Sequence, residues 1–224
     1  MENGNTYSYR SDYDLLIIIN NGDKVHADTY LFSILDKLEE LKLNLDTSIH
    51  IELESINFVN KALQEGNGFF GDVKKEGIIL FNSSRYELAE KRELSPLEMQ
   101  EIAQRDFDHW FESADTFYDD FIHNLKKAEQ GQKFLNKAAF ELHQATERYY
   151  GAIQLVFAGY KPKTHDLDLL GRRAKGLHKG FGKVFPKASI AERQRFMLLR
   201  KAYVDARYKI NYKITKADLD YLGE

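Results

Sequence analysis

Ala139-Phe-Glu-Leu-His-Gln-Ala-Thr-Glu-Arg-Tyr149 reads as the centre of a long helix. Small or apolar residues recur at Ala138, Leu142, Ala145, Tyr149, Ala152 and Val156, the spacing of one helical face. The helix is expected from about Phe134 to Phe157, with Gly131 ahead of it and Gly159 ending it. Upstream, Ser95-Pro-Leu-Glu98 is a capping box with proline at the first helical position, opening a long helix from Pro96 to about Glu129. Downstream, the loop Tyr160-Lys-Pro-Lys-Thr164 leads into a helix from His165 to Leu177, with Thr164 as its expected cap. Ser189-Ile-Ala-Glu192 opens another helix to about Ile210, and Thr215-Lys-Ala-Asp218 a last short one.

Toward the N-terminus the periodicity changes. Residues 12–20 are apolar, β-branched and stopped by Asn20-Asn-Gly22, as in a strand. Asp28 to Leu45 has helical spacing, Ser48 to Leu53 alternates like a second strand, and Ser55–Gln64 and Phe69–Lys75 read as short helices. Gly77-Ile-Ile-Leu-Phe81 reads as a third strand. Strand–helix–strand–helix–strand is the order of a small α/β layer.

The 224 residues are 43% hydrophobic and 30% charged, with a net charge of −3, so bulk charge does not select nucleic acid as a partner. The chain has no cysteine, which excludes disulfides and thiolate metal sites. The N-terminus is polar and no apolar run reaches the roughly 18 residues of a membrane span, so a cytoplasmic protein without membrane contact is expected. Charge is segregated: residues 98–129 hold nine acids and three bases, and residues 160–187 hold eight bases and two acids. The basic segment faces either phosphates or an acidic helix of the same or a neighbouring subunit.

Ser11-Asp-Tyr-Asp-Leu-Leu-Ile17 resembles the Asp-x-Asp strand of minimal nucleotidyltransferases. Val59–Gly66, Phe69-Phe70 and Gly77–Phe81 are similar to the tail of that domain in bacterial proteins that fuse it to a HEPN domain. Ala139–Tyr149, Gly159–Leu167 and Lys201-Ala-Tyr-Val-Asp-Ala-Arg-Tyr208 resemble HEPN domains themselves. The resemblance implies an α+β chain. A three-stranded nucleotidyltransferase-like remnant spans residues 1–84, a linker 85–94 and an antiparallel helical HEPN bundle 95–224.

The same resemblance implies Mg²⁺-dependent nucleotidyl transfer from a nucleoside triphosphate to an acceptor, in the setting of toxin–antitoxin or defence modules. Metal ions there neutralise charge on the phosphoryl group. Asp12 and Asp14 take the metal positions, two apart on one face of an extended chain. The third catalytic and metal-binding acid is Glu52 or Glu54. Ser11, His165, Arg207 and Tyr208 are the nucleotide-binding candidates. The family's Gly-Ser loop has no counterpart: Gly4 is followed by Asn5, and ten residues precede Ser11. The expectation is a fragment, or a domain with impaired catalysis.

HEPN ribonucleases carry an arginine followed closely by a histidine on the last long helix. Arg207 has no histidine after it, and Tyr212 stands in its place. A phenol, with an ordinary pKa of about 10, is a poor base near neutrality. Arg207 is therefore read as a catalytic or phosphate-binding group, or as an ion-pair partner of Asp205, Glu147 or a residue of another helix. His143 and Glu147, four apart, are expected to form a buried hydrogen-bonded pair. Expected partners are a nucleotide, an RNA or protein acceptor, and a second copy joined through the HEPN helices. The rival functions are a metal-independent ribonuclease using Arg207 and a non-enzymatic helical interaction module.

Overall fold

The computed structural model describes residues 13–20, 37 and 49–224. They divide into two compact units between Glu93 and Leu94. In the first, β1 (Tyr13–Ile19) and β2 (Ile49–Ser55) pair in parallel, with Asp14 opposite His50, Leu16 opposite Glu52 and Ile18 opposite Glu54. The Ser55 side chain accepts the Phe58 amide and starts α1 (Ile56–Gln64). Gly66, at φ 79°, supports the turn into α2 (Gly68–Glu76), which Asn67 caps. Ile56, Val59, Ala62, Leu63 and Phe70 are the buried apolar side chains among the described residues here.

Two expectations for this unit change. Gly77–Phe81 forms no strand, and Ile78, Ile79, Leu80 and Phe81 are 76–87% exposed. A strand takes its hydrogen bonds from a neighbour, and the described sheet stops at two strands. The linker expected at 85–94 contains a strap. Asn60 bonds both the Glu87 carbonyl and the Ala89 amide, Lys74 donates to the Leu88 and Ala89 carbonyls, and the Arg92 amide donates to Leu63. The helix expected over Asp28–Leu45 lies outside the described residues, apart from Lys37, which is helical.

The second unit is a helical bundle of α3 (Pro96–Leu125), α4 (Gln132–Ala158), α5 (Leu167–Leu177), α6 (Ile190–Tyr208) and α7 (Lys216–Leu222). Ser95/Glu98, Ser189/Glu192 and Thr215/Asp218 are reciprocal capping boxes that start α3, α6 and α7. Gly159, in the left-handed region at φ 65°, ends α4. The long first helix stops at Leu125, short of Glu129, and gives way to a 3₁₀ turn at Ala128–Gln130. The helix expected to reach Ile210 stops at Tyr208.

The principal helix contact is α3 on α4. Small buried residues, Ala114 on α3 and Ala138, Ala145 and Ala152 on α4, permit close approach. Around them Phe121, Leu142, Leu167, Leu170, Leu199 and Leu219 close one core drawn from all five helices. Tyr150, not Tyr149, is the core tyrosine. Tyr149 turns outward to donate to Asp115 at 2.5 Å, and burial plus that acceptor push its pKa up. No helix among the described residues is long and apolar enough to cross a membrane.

Candidate functional site on the helical unit

Besides its apolar stripe, α4 buries Glu141, His143, Gln144, Thr146, Glu147 and Gln154. Buried polar groups cost free energy unless they are bonded, so their partners locate the site. His143 is fully buried and its Nδ1 meets the Leu199 carbonyl on α6 at 3.0 Å. A carbonyl only accepts, so Nδ1 carries the proton. Burial pulls the His143 pKa below its usual value, against the opposing influence of that bond and of Glu147. The expected His143–Glu147 hydrogen bond is absent: Nε2 and Oε2 stand 3.9 Å apart.

Glu147 is engaged elsewhere. Its Oε2 accepts from His165 Nδ1 at 2.7 Å, and its Oε1 lies 4.0 Å from Lys161 Nζ. The α4–α5 connection makes this possible. Thr164 Oγ1 accepts the Asp166 amide, and Asp166 caps α5 by accepting the Asp168 amide. Asp166, not Thr164, is thus the cap. Arg200 of α6 reaches Asp166 at 3.2 Å. His165, held between these anchors with its side chain 51% exposed, stacks on Tyr203 of α6 with ring centroids 3.9 Å apart and planes 16° apart.

The same Tyr203 ring receives Arg207. The guanidinium carbon lies 4.5 Å from the Tyr203 centroid, 4.8 Å from Phe140 and 4.9 Å from Tyr208. Arg207 Nε donates to the Tyr203 carbonyl at 2.6 Å, folding the side chain back along α6. The expected ion pair with Asp205 or Glu147 does not form. Among the described residues Asp205 pairs with Lys209, and Arg207 rests on aromatic faces. Tyr208 is 74% exposed beside it.

Tyr212 stands apart. It is buried, its hydroxyl donates to the Leu198 carbonyl, and burial together with Asp205 and Asp218 pushes its pKa up. It serves packing and does not substitute for a histidine. The sequence names His165, Arg207 and Tyr208 but not the ring that gathers them. Tyr203 lies four residues before Arg207, the helical spacing that marks a shared face, and that was the signal available.

In the first unit, β pairing places Asp14 on one face with Glu52 and Glu54, because opposed residues point the same way and alternate ones repeat. Glu52 is two positions from Asp14's partner and half-buried, whereas Glu54 is four away and buried. Of the two, Glu52 stands nearer to Asp14. Ser11 and Asp12 lie outside the described residues. Among the described residues no group of three histidines or acids is arranged to hold a metal.

A helical bundle whose polar core converges on one exposed stacked ring is consistent with what family comparison finds. The sequence matches the HEPN domain family over residues 107–222, just over half of the chain, and the chain belongs to that family. No curated protein matches it.

Proposed function

We propose that the HEPN half binds a phosphate-bearing ligand, a nucleotide or the end of an acceptor, on Arg207, His165 and Tyr208. One observation carries the reading: an imidazole and a guanidinium both lie within 4.5 Å of the Tyr203 ring centroid. Guanidinium is the side chain best matched to phosphate oxygens. Glu147 holds His165 by Nδ1, which leaves Nε2 as the nitrogen for the ligand.

In this proposal the N-terminal unit descends from a nucleotidyltransferase. Asp12, Asp14 and Glu52 would hold Mg²⁺, which would supply charge neutralisation on the phosphates. Their carboxylate oxygens are the donors a hard cation takes. The setting is a cytoplasmic toxin–antitoxin or defence module, dimeric through the HEPN helices. Isothermal titration with ATP and Mg²⁺ tests the ligand site: Arg207→Ala should weaken binding about tenfold, the scale of one charged hydrogen bond. Undiminished affinity would sink it. Asp14→Ala tests the N-terminal site separately, by loss of the Mg²⁺ dependence.

A second reading, ribonuclease chemistry, is favoured by one contact. His165 oriented by buried Glu147 is the arrangement of a general base, and it supplies the imidazole that the sequence after Arg207 lacks. Cleavage of single-stranded RNA in EDTA, lost in both Arg207→Ala and His165→Ala, would establish it. Inert RNA would leave the binding function alone.

A further inference from the structure

From Leu169 to Ala191 the chain has no acid, and Lys175, Lys179, Lys183 and Lys187 recur at every fourth residue. Lys187 bonds Asp168 at 2.6 Å. Lys175, Lys179 and Lys183 are exposed, and among the described residues none of the three makes a hydrogen bond or an ion pair. The backbone gathers them. The 3₁₀ turn Lys179–Lys183 folds back on the end of α5, so that a Cβ added at Gly182 would come within 2.8 Å of the Lys175 Cδ. Lys183, the next residue, is thereby carried toward Lys175. Glu192 and Glu224 share a hollow with Lys183 but do not pair with it, and Glu192 accepts the Ser189 amide at 2.7 Å. Leu177 and Val184 add exposed apolar surface among the lysines.

Three destinations were open to this basic run: phosphates, an acidic helix of its own subunit, or one of a neighbour. Its own subunit is set aside for Lys175, Lys179 and Lys183, which pair with no acid among the described residues. The acidic counterpart is α3. Glu101, Asp108, Glu112, Asp115 and Asp119 are all exposed and, seven, four, three and four residues apart, lie along one line of the helix. That line is about 27 Å long at 1.5 Å per residue. Arg105, the sole lysine or arginine within it, pairs with Asp106 at 3.0 Å. Like charges four apart on a helix are destabilising, so the stripe weakens α3 unless a cationic surface covers it. Exposed Phe107 and Phe111, stacked at 4.8 Å, flank it. A nucleic acid would match the lysines alone. Its affinity rises with the number of phosphates neutralised, and three lysines on a chain of net charge −3 neutralise few. A second copy answers them with a row of carboxylates and adds apolar contact.

We infer that this basic surface docks α3 of a second copy, with Lys175, Lys179 and Lys183 set against the stripe from Glu101 to Asp119. The inference rests on the dimer proposed above and names the faces that build it. Under two-fold symmetry the contact forms twice, α3 of each copy lying on the lysines of the other. Exposed ion pairs contribute little individually, so association is reversible and falls as salt shortens the Debye length.

The test is sedimentation equilibrium of the whole chain at about 0.01 M and about 1 M salt, where the Debye length is roughly 30 Å and 3 Å. The dimer should weaken about tenfold or more at the higher salt. At low salt Lys175→Glu/Lys179→Glu and Asp108→Lys/Glu112→Lys should each weaken self-association by a similar factor. Mixed together, the two variants should associate as tightly as the unaltered chain, because opposite charges then meet at both contacts. A mixture that stays dissociated overturns the inference. Undiminished self-association of either variant alone also overturns it, and leaves the dimer to form through other faces. A chain that is monomeric at low salt overturns the dimer as well. A lysine variant that still self-associates but loses a fluorescent single-stranded oligonucleotide assigns the surface to nucleic acid and overturns the inference. Should Lys175→Glu/Lys179→Glu melt early, because the Lys175 stem packs on Gly182, Lys179→Glu/Lys183→Glu takes its place and is judged by the same outcomes.

Discussion

The helical unit and the tail Gly77–Phe81 were read from equally strong apolar patterns, yet one packs and the other stands in solvent. The reason lies in where backbone hydrogen bonds come from. A helix satisfies its own amides and carbonyls, so an apolar stripe such as Ala138–Leu142–Ala145–Ala152 needs only a surface to cover. A strand needs the edge of another strand, and composition does not state whether an edge is vacant. β1 has β2; among the described residues Ile78–Phe81 has no such partner.

The contrast is sharpened most by Leu199. It is a fully buried residue of α6, and its carbonyl also receives His143 of α4. Leu199→Ala should cost about 2–5 kcal/mol by lost transfer and cavity terms, measured as a lowered urea midpoint. A loss under about 1 kcal/mol would mean that the bundle is not packed around this residue.

The next effect is an acid limb set by His143. Its pKa is lowered in the fold, chiefly by burial, so the unfolded chain takes up its proton first. The neutral ring's contribution is complete above the ordinary histidine value of about 6.5 and is lost as pH falls from there toward the lowered value. Glu147, His165 and Tyr203 are the ionisable groups facing this ring. His143→Gln should flatten the stability profile just below about pH 6.5, while the decline below pH 4, owed to Asp168 and Asp218 with their lowered pKa values, persists. An unchanged slope near pH 6 in the variant would show that His143 is not buried neutral.

A smaller effect is expected at the caps, where the sequence was most legible. Ser95, Ser189 and Thr215 could be read as helix starts because a capping box is a local device: its two partners lie three residues apart and nothing distant enters. Ser189→Ala should cost about 1 kcal/mol, seen as a modest drop in Tm.

The site was less legible because its contacts are not local. His165, Arg207 and Tyr208 could be nominated from the family resemblance. Pairing Glu147 with His165, 18 residues away, depends on how the loop after Gly159 returns over α4, and residue spacing pointed instead to His143. Tyr150 was equally hidden, since one helical step decides whether Tyr149 or Tyr150 faces the core.

The smallest effect should come from the tail itself. Ile79 is 76% exposed, so Ile79→Thr removes little buried area and should change stability by no more than about 0.5 kcal/mol. Threonine keeps the β-branched shape, which leaves any strand propensity nearly intact while lowering apolarity. A run of Ile-Ile-Leu-Phe without charge or proline is the composition that drives edge-to-edge association, so the same variant should raise the concentration at which large aggregates first appear in light scattering. A stability loss above about 1.5 kcal/mol would reverse the comparison: it would mean that Ile79 is packed as a sheet residue after all, and that the apolar run in the sequence reported its surroundings correctly.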